Sequence, residues 1–249
     1  AHPRVIWSIR TILLAALFTT LVPSILLLIN AICTHYQSEV ANISQDALQL
    51  ARAAAMDVDE HLENARRVLS RLSERPGIRD LDAERCDPII SELRYWTTIY
   101  ANLSLIDRQG QTLCDAVGEK PLPSYADRDW LPQAIASKAF TVGKPIIGKS
   151  TRLQLAPLVQ PLVDESQGVV GFLSLALDLS RFKPSFARTG LPSGTEVSIV
   201  DSDGHLIATS QENTLALAVG RSFERDFVLE TMRHGSSTAQ KIVHHRDGQ

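Results

Sequence analysis

LSLIDRQGQTL, residues 103–113, returns 94 positions later as VSIVDSDGHLI, residues 197–207. Ser, Asp and Gly coincide at Ser104/Ser198, Asp107/Asp201 and Gly110/Gly204. Leu103/Val197, Leu105/Ile199, Ile106/Val200 and Leu113/Ile207 exchange one aliphatic for another. Each copy reads as strand, tight turn, strand. The Leu and β-branched run gives the strand, Asp supplies hydrogen bonds that start a turn, and Gly takes a φ > 0 position that a Cβ resists. Two similar sheet-containing units in tandem is the preferred reading, and two unrelated hairpins of common composition is the alternative.

Working outward, the 249 residues are 44% hydrophobic and 21% charged, enough for a sizeable core and one or two domains. A net charge of −3 with no Lys/Arg run leaves no electrostatic footprint for nucleic acid, so that partner is not expected. The chain ends on Asp-Gly-Gln after a strand pattern, where Asp-Gly calls for a returning strand. A piece of a longer protein is the expectation.

Residues 12–32 hold no charge, and 21 positions at about 1.5 Å each cover about 30 Å, the hydrocarbon thickness of a bilayer. The run is longer than a signal peptide's apolar region and carries Pro23, which predicts a kinked transmembrane helix. Arg4 and Arg10 precede it and Glu39 and Asp46 follow, placing residues 1–11 in the cytoplasm and everything from about His35 onward outside it. Over residues 37–73, Val40, Ile43, Ala47, Leu50, Ala54, Val58, Leu62, Ala65, Leu69 and Leu72 advance in steps of three and four. This predicts one long helix within 34–75, closed by Pro76-Gly77. Its apolar stripe serves either as a seam with a second copy or as core against the sheets.

Asp87-Pro88 starts a helix over residues 88–98. Cys86 stands before it and Cys114 ends the first hairpin; in an oxidising compartment they form a disulfide, and two free structural thiols is the alternative. After a Pro-rich loop at 120–124 come a short helix through Ser137 and strands at 140–147, 153–163 and 168–178. The expected fold class is α+β: a PAS-like unit over residues 78–185, with an antiparallel sheet and helices against it, then a second, incomplete unit over 190–249. That second unit includes a helix at 223–234 and a strand at 238–245.

Residues 143–150, GKPIIGKS, satisfy the letters of a phosphate-binding loop, but the sequence after Lys149 carries Pro157 and Pro161 and cannot be the helix that motif needs. Asp201-Ser202-Asp203-Gly204 lacks the spacing of a calcium loop. His244 and His245 are adjacent on a strand and point to opposite faces, so they do not converge with Asp247 on a metal. No nucleophile–base or metal-protease pattern appears, and no catalytic residue is named. Residues 125–130, YADRDW, differ: they set a phenol, a guanidinium and an indole at the entry to a helix. Arg can hold a carboxylate through two parallel hydrogen bonds and aromatic faces wall a small pocket. The rival reading makes Trp130 core and pairs Arg128 with Asp127 or Asp129.

Transmembrane helix, long helix, tandem PAS-like units and residues 125–179, YADRDWLPQAIASKAFTVGKPIIGKSTRLQLAPLVQPLVDESQGVVGFLSLALDL, together resemble the double Cache (dCache) sensor domains of bacterial receptors. The hairpin ending at Cys114, the early Cys86 and the closing ALDL of residues 176–179 are most similar to membrane-bound diguanylate cyclases, whose cytoplasmic GGDEF domain makes cyclic di-GMP. The resemblance makes 78–185 the membrane-distal, ligand-binding unit and 190–249 the membrane-proximal one. It implies an inner-membrane receptor, a homodimer, and no cofactor in this chain; GTP and Mg belong to a cyclase domain beyond it. In the amino-acid-binding branch an Arg-x-Trp-aromatic motif works with an Asp on the last strand. Arg128 and Trp130 match, but Leu131 replaces the aromatic and Ala176 the Asp, with Asp178 two positions on. This implies an organic acid or other anion rather than a free amino acid, held by Tyr125, Arg128, Trp130, Lys144 and Gln154, with Lys149 as a further candidate. A histidine kinase or chemoreceptor sensor, or a ligand-free dimerisation module, are the alternatives.

Overall fold

The computed structural model describes residues 9–92, 98–118, 120–164, 166, 168–182, 197–200 and 206–209. It divides into two compact units, Ala1–Leu50 and Ala51–Gln249. Helix α1, Ile9–Ser73, runs through the boundary with Pro23 inside it.

In the first unit, Ala16–Glu39 has a mean hydropathy of 2.1 and is, among the described residues, the one helix long and apolar enough to cross a membrane by length and composition. Three of its hydroxyls are satisfied locally. Thr19 and Thr20 donate to the carbonyl of Ala16, and Ser24 to that of Thr20, so these three hydroxyls need no water as a partner.

In the second unit the helical stripe becomes core: Ala65 and Leu69 are fully buried, and Val58 and Leu62 pack partly buried beside them. Pro76 opens a short helix α2, Pro76–Arg79, because its missing N–H costs nothing at the first helical position. Helix α3 is Pro88–Glu92, capped by Asp87 Oδ1, which accepts the Ile89 N–H at 3.0 Å. Residues 93–97 of the expected helix lie outside the described set, and Thr98 and Ile99 are not helical and lead into the sheet.

The sheet comprises β1 (Tyr100–Asp107), β2 (Thr112–Asp115), β3 (Thr141–Val142), β4 (Ile146–Ile147), β5 (Gln154–Val163) and β6 (Val169–Asp178). Its order is β2-β1-β6-β5-β3, with β4 also on β5, and every pairing is antiparallel. The single strand expected at 140–147 is two short ones. Pro145 has no N–H to give the ladder, and Gly143 passes so close that a Cβ would meet Pro157 Cγ at 2.5 Å. Alternation sorts the two faces. Leu103, Leu105, Leu158, Leu173 and Leu175 pack with Leu69 of α1. On the other face Ile106, Val159 and Phe172 pack under helix α4, Trp130–Ser137, through Trp130, Leu131 and Ala134. A disulfide joins Cys86 to Cys114, Cα atoms 5.8 Å apart, and so ties the start of α3 to the edge strand β2.

The repeated stretch forms a second hairpin, β7 (Ser198–Val200) with β8 (Leu206–Thr209). In the first copy Ser104 opposes Asp115, Leu105 opposes Cys114 and Ile106 opposes Thr112. In the second Ser198 opposes Thr209, Ile199 opposes Ala208 and Val200 opposes Leu206, the same partners 94 positions on, with the irregularity at the same step. The shared Asp-x-x-Gly turn sets the same register and bulge in both hairpins. The expected helix at 223–234, the strand at 238–245 and the His244/His245 pair lie outside the described residues.

Candidate functional site

The candidate site lies on the α4 face of the sheet, and the first hairpin seats the loop that builds it. Gly110, at φ 87°, gives its carbonyl to the Tyr125 N–H at 2.6 Å. A Cβ there would meet the Ala126 backbone nitrogen at 2.6 Å, so the glycine serves close approach as well as the turn. Gln111 Nε2 donates to Ser124 Oγ and Thr112 Oγ1 to the Pro123 carbonyl, fastening the same loop. The Arg128 N–H then bonds the Tyr125 carbonyl and the Leu131 N–H the Arg128 carbonyl, turning the chain into α4.

Tyr125 and Trp130 meet as expected, ring centres 6.3 Å apart, and Trp130 stands edge-on to Phe172 at 5.9 Å. Trp130 is 3% exposed, yet its indole N–H has no partner. Arg128 Nη2 donates to the Ile147 carbonyl at 3.3 Å and its buried Nε has no partner. Asp127 pairs with Lys149 at 2.6 Å rather than with Arg128, and that bond holds its carboxyl below the ordinary value. Lys149 also donates to the Ser124 carbonyl and lies 5.8 Å from the Tyr125 ring centre. No helix follows it, residues 149–151 being a turn, so the phosphate-loop letters have no phosphate-loop structure.

A cavity of about 20 Å³ is lined by Tyr125, Trp130, Lys149 and Ser150 and, on the sheet, by Asn102, Ser104, Leu155, Pro157, Ser174 and Ala176; Arg128 is not among its lining residues. Such a space holds about one water. Grooves of about 440 and 530 Å³ lie beside α1, but they are open and none of the unpaired buried polar atoms borders them. The small cavity is the better candidate because two residues with unpaired buried polar atoms, Asn102 and Trp130, line it.

Lys144 and Gln154 do not line this cavity. Gln154 alternates with Leu155 and Pro157 along β5 and so belongs to the opposite face, and Lys144 is exposed in the break between β3 and β4. Asp178 is also elsewhere. Its Oδ1 accepts the Ser180 N–H and hydroxyl, and its Oδ2 lies 3.4 Å from Arg181 Nε.

The sequence pattern does not single out the polar half of the site. Asp115 Oδ2 accepts from Asn102 Nδ2 at 2.9 Å, Ser104 Oγ at 3.1 Å and Ser150 Oγ at 3.1 Å, while Oδ1 takes the N–H groups of Val117 and Gly118. Burial, aided by the Asp115 charge, pushes the Tyr125 hydroxyl above its ordinary value, opposed by hydrogen bonds with Ser150 and Ser104. The available clue is Asn102 and Ser104 two apart on an otherwise apolar strand, which places two polar side chains on one covered face.

A sequence profile of the Cache domain family (dCache_1) matches residues 35–245, most of the chain. The chain belongs to the Cache domain family. Among solved structures, this Cache chain is similar to the sensor domain of the Vibrio cholerae histidine kinase DctB, at 14% identity and TM-score 0.59, covering 80% of this chain and 77% of that one. It is similar also to the ligand-binding domain of the Campylobacter jejuni chemoreceptor Tlp3 in complex with L-valine, at 15% identity and TM-score 0.56, with 80% of each chain covered. A third is the ligand-binding domain of the Pseudomonas aeruginosa amino acid chemoreceptor PctC in complex with GABA, at 15% and 0.51, covering 73% of this chain and 80% of that one. Identities this low establish the shared Cache fold alone. No curated protein sequence matches the chain.

Proposed function

We propose that this Cache chain is the extracytoplasmic ligand-sensing region of a single-span inner-membrane receptor, and that the cavity under α4 takes a small organic acid. The observation that carries this is a buried donor with no acceptor, Trp130 Nε1, on a residue that walls the cavity with Tyr125, with a second unpartnered donor, Arg128 Nε, two residues earlier in the same loop. A structural core fills such donors, whereas a binding site keeps them for a ligand carboxylate. Asp127 being held by Lys149 leaves the guanidinium without a carboxylate partner of its own. A molecule larger than water enters by outward movement of the turn at 148–151.

A thermal-shift screen of small organic acids on the whole chain in detergent tests this reading. A hit that stabilises the wild type and is lost in Arg128→Ala supports it; hits unchanged by that substitution count against it. The proposed output is a diguanylate cyclase domain, supported by the Cys86, Cys114 and ALDL resemblance. The structural neighbours DctB and Tlp3 belong to a kinase and a chemoreceptor, so those outputs are the second reading. The downstream coding sequence separates the three. Signalling through a homodimer along residues 37–73 is proposed from the unbroken α1; cysteine crosslinking along it, with and without ligand, gives a changed pattern if the mechanism holds and an identical one if it fails.

A further inference from the structure

The two grooves beside α1 lie on the face of the sheet away from α4, and they carry charge. Gln160 lines both, so they form one continuous open groove between the end of α1 and the hairpin of β5 and β6. Four arginines, Arg66, Arg67, Arg71 and Arg79, border it against two acids, Glu74 and Asp164. Two of these six are answered within the chain: Arg66 by Glu63 through two bonds of 2.9 Å, and Asp164 by Ser166 and Gly168. Arg67, Arg71 and Arg79 are exposed, and among the described residues none of them forms an ion pair or a side-chain hydrogen bond. The chain as a whole carries −3, so this positive stretch runs against the overall balance.

The floor of the groove has the opposite character. Leu81, Phe140, Val163 and Val170 supply it, all of them half-buried. Half-buried apolar side chains under a rim of guanidinium groups fit an occupant that brings apolar groups as well as carboxylates. A small anion places nothing against that floor, and an open groove gives it no shelter from water. A second copy paired side by side along α1 sets like residues opposite each other, so arginines would face arginines. From Arg66 to Ser73, α1 alone rises about 10 Å, the span of about three extended residues.

We propose that this groove is a docking surface for a partner protein, receiving an extended segment in which carboxylates alternate with apolar side chains. The apolar side chains lie on Phe140, Val163 and Val170. The carboxylates reach Arg67, Arg71 and Arg79, whose planar forks each give a carboxylate two parallel bonds. Because the cavity under α4 is on the other face of the sheet, the two surfaces are occupied independently, and the groove adds a protein input to the region.

Fluorescence anisotropy on the whole chain in detergent tests the proposal with a labelled hexapeptide, Glu-Leu-Asp-Val-Glu-Leu. Its matched controls are Lys-Leu-Lys-Val-Lys-Leu, with the charge reversed, and Glu-Ser-Asp-Ser-Glu-Ser, with the apolar groups removed. The acid–apolar peptide binds about tenfold or more tightly than either control. Raising salt from about 0.05 M to about 0.5 M weakens it about fivefold or more, and Arg67→Glu combined with Arg71→Glu weakens it about tenfold or more. Controls that bind as tightly, substitutions that leave the Kd unchanged, or no binding of the acid–apolar peptide each overturn the proposal. Tripolyphosphate binding more tightly than the peptide makes the groove a free-anion site and overturns it too. So does sedimentation in which the double substitution alters self-association while the peptide's Kd is unchanged, since the occupant is then a second copy. Circular dichroism establishes that the variant folds; should it not, Arg79→Glu, at an exposed position on the same rim, decides.

Discussion

Asp87 shows how much a single carboxylate can hold together outside the cavity. It caps α3, is 7% exposed, and accepts two bonds of 2.9 Å from Arg75 just after α1. The Arg75 hydrogen bonds, above all, keep its carboxyl below the ordinary value of 3.8. A folded pKa below the unfolded one stabilises at pH above the unfolded value and loses that contribution as pH falls through the folded value. Melting of the wild type between pH 6 and 2 should therefore fall more steeply than that of Asp87→Asn at the acid end; parallel curves would sink the assignment. Gly110 allows a second test. Gly110→Ala should destabilise by about 1–2 kcal/mol for the left-handed backbone alone, with more from the clash against Ala126, and should weaken any ligand that Arg128→Ala abolishes. Melting and binding on one sample check both. These residues were legible in the sequence as turn and cap chemistry, since Asp and Gly at such spacings carry a local mechanism. Their long-range partners were not, because Arg75–Asp87 and Gly110–Ala126 are pairings that only the tertiary fold creates.

At the scale of elements, the period of apolar residues gave α1, β5 and β6 nearly to the residue, and the repeat gave both hairpins. Periodicity marks a face but not what covers it. That is why residues 37–73 left seam and core open until Leu69 proved fully buried while Ile43 is 68% exposed. Leu69→Ala should cost about 2–5 kcal/mol as a core cavity. Ile43→Ala should stay within about 0.5 kcal/mol in a lone chain, and a larger, concentration-dependent loss would reveal a second copy on that stretch. The split of β3 from β4 escaped the pattern because Pro145 acts through a missing donor, not through hydropathy. Asn102, Ser104 and Asp115 escaped it for a related reason: three common polar residues on two strands form one hydrogen-bonded cluster only once β1 and β2 are paired.

At the scale of the whole molecule, the disulfide closes a loop of 28 residues, worth on the order of 3 kcal/mol in chain entropy. Treatment with a reductant should lower the melting temperature, and Cys86→Ala should remove the reductant's effect. Binding should weaken under the same treatment, because Cys114 and Asp115 are consecutive residues of β2, an edge strand with one neighbour in the sheet. Alternation turns one of them to the disulfide and the other to the cavity network. Thiols stay reduced in the cytoplasm and close only beyond it. With the sensing region placed outside the cytoplasm, as proposed, β2 is fastened by this bond only after export. On that proposal, a copy left in the cytoplasm would lack the fastening of β2, and the reductant experiment reproduces its condition.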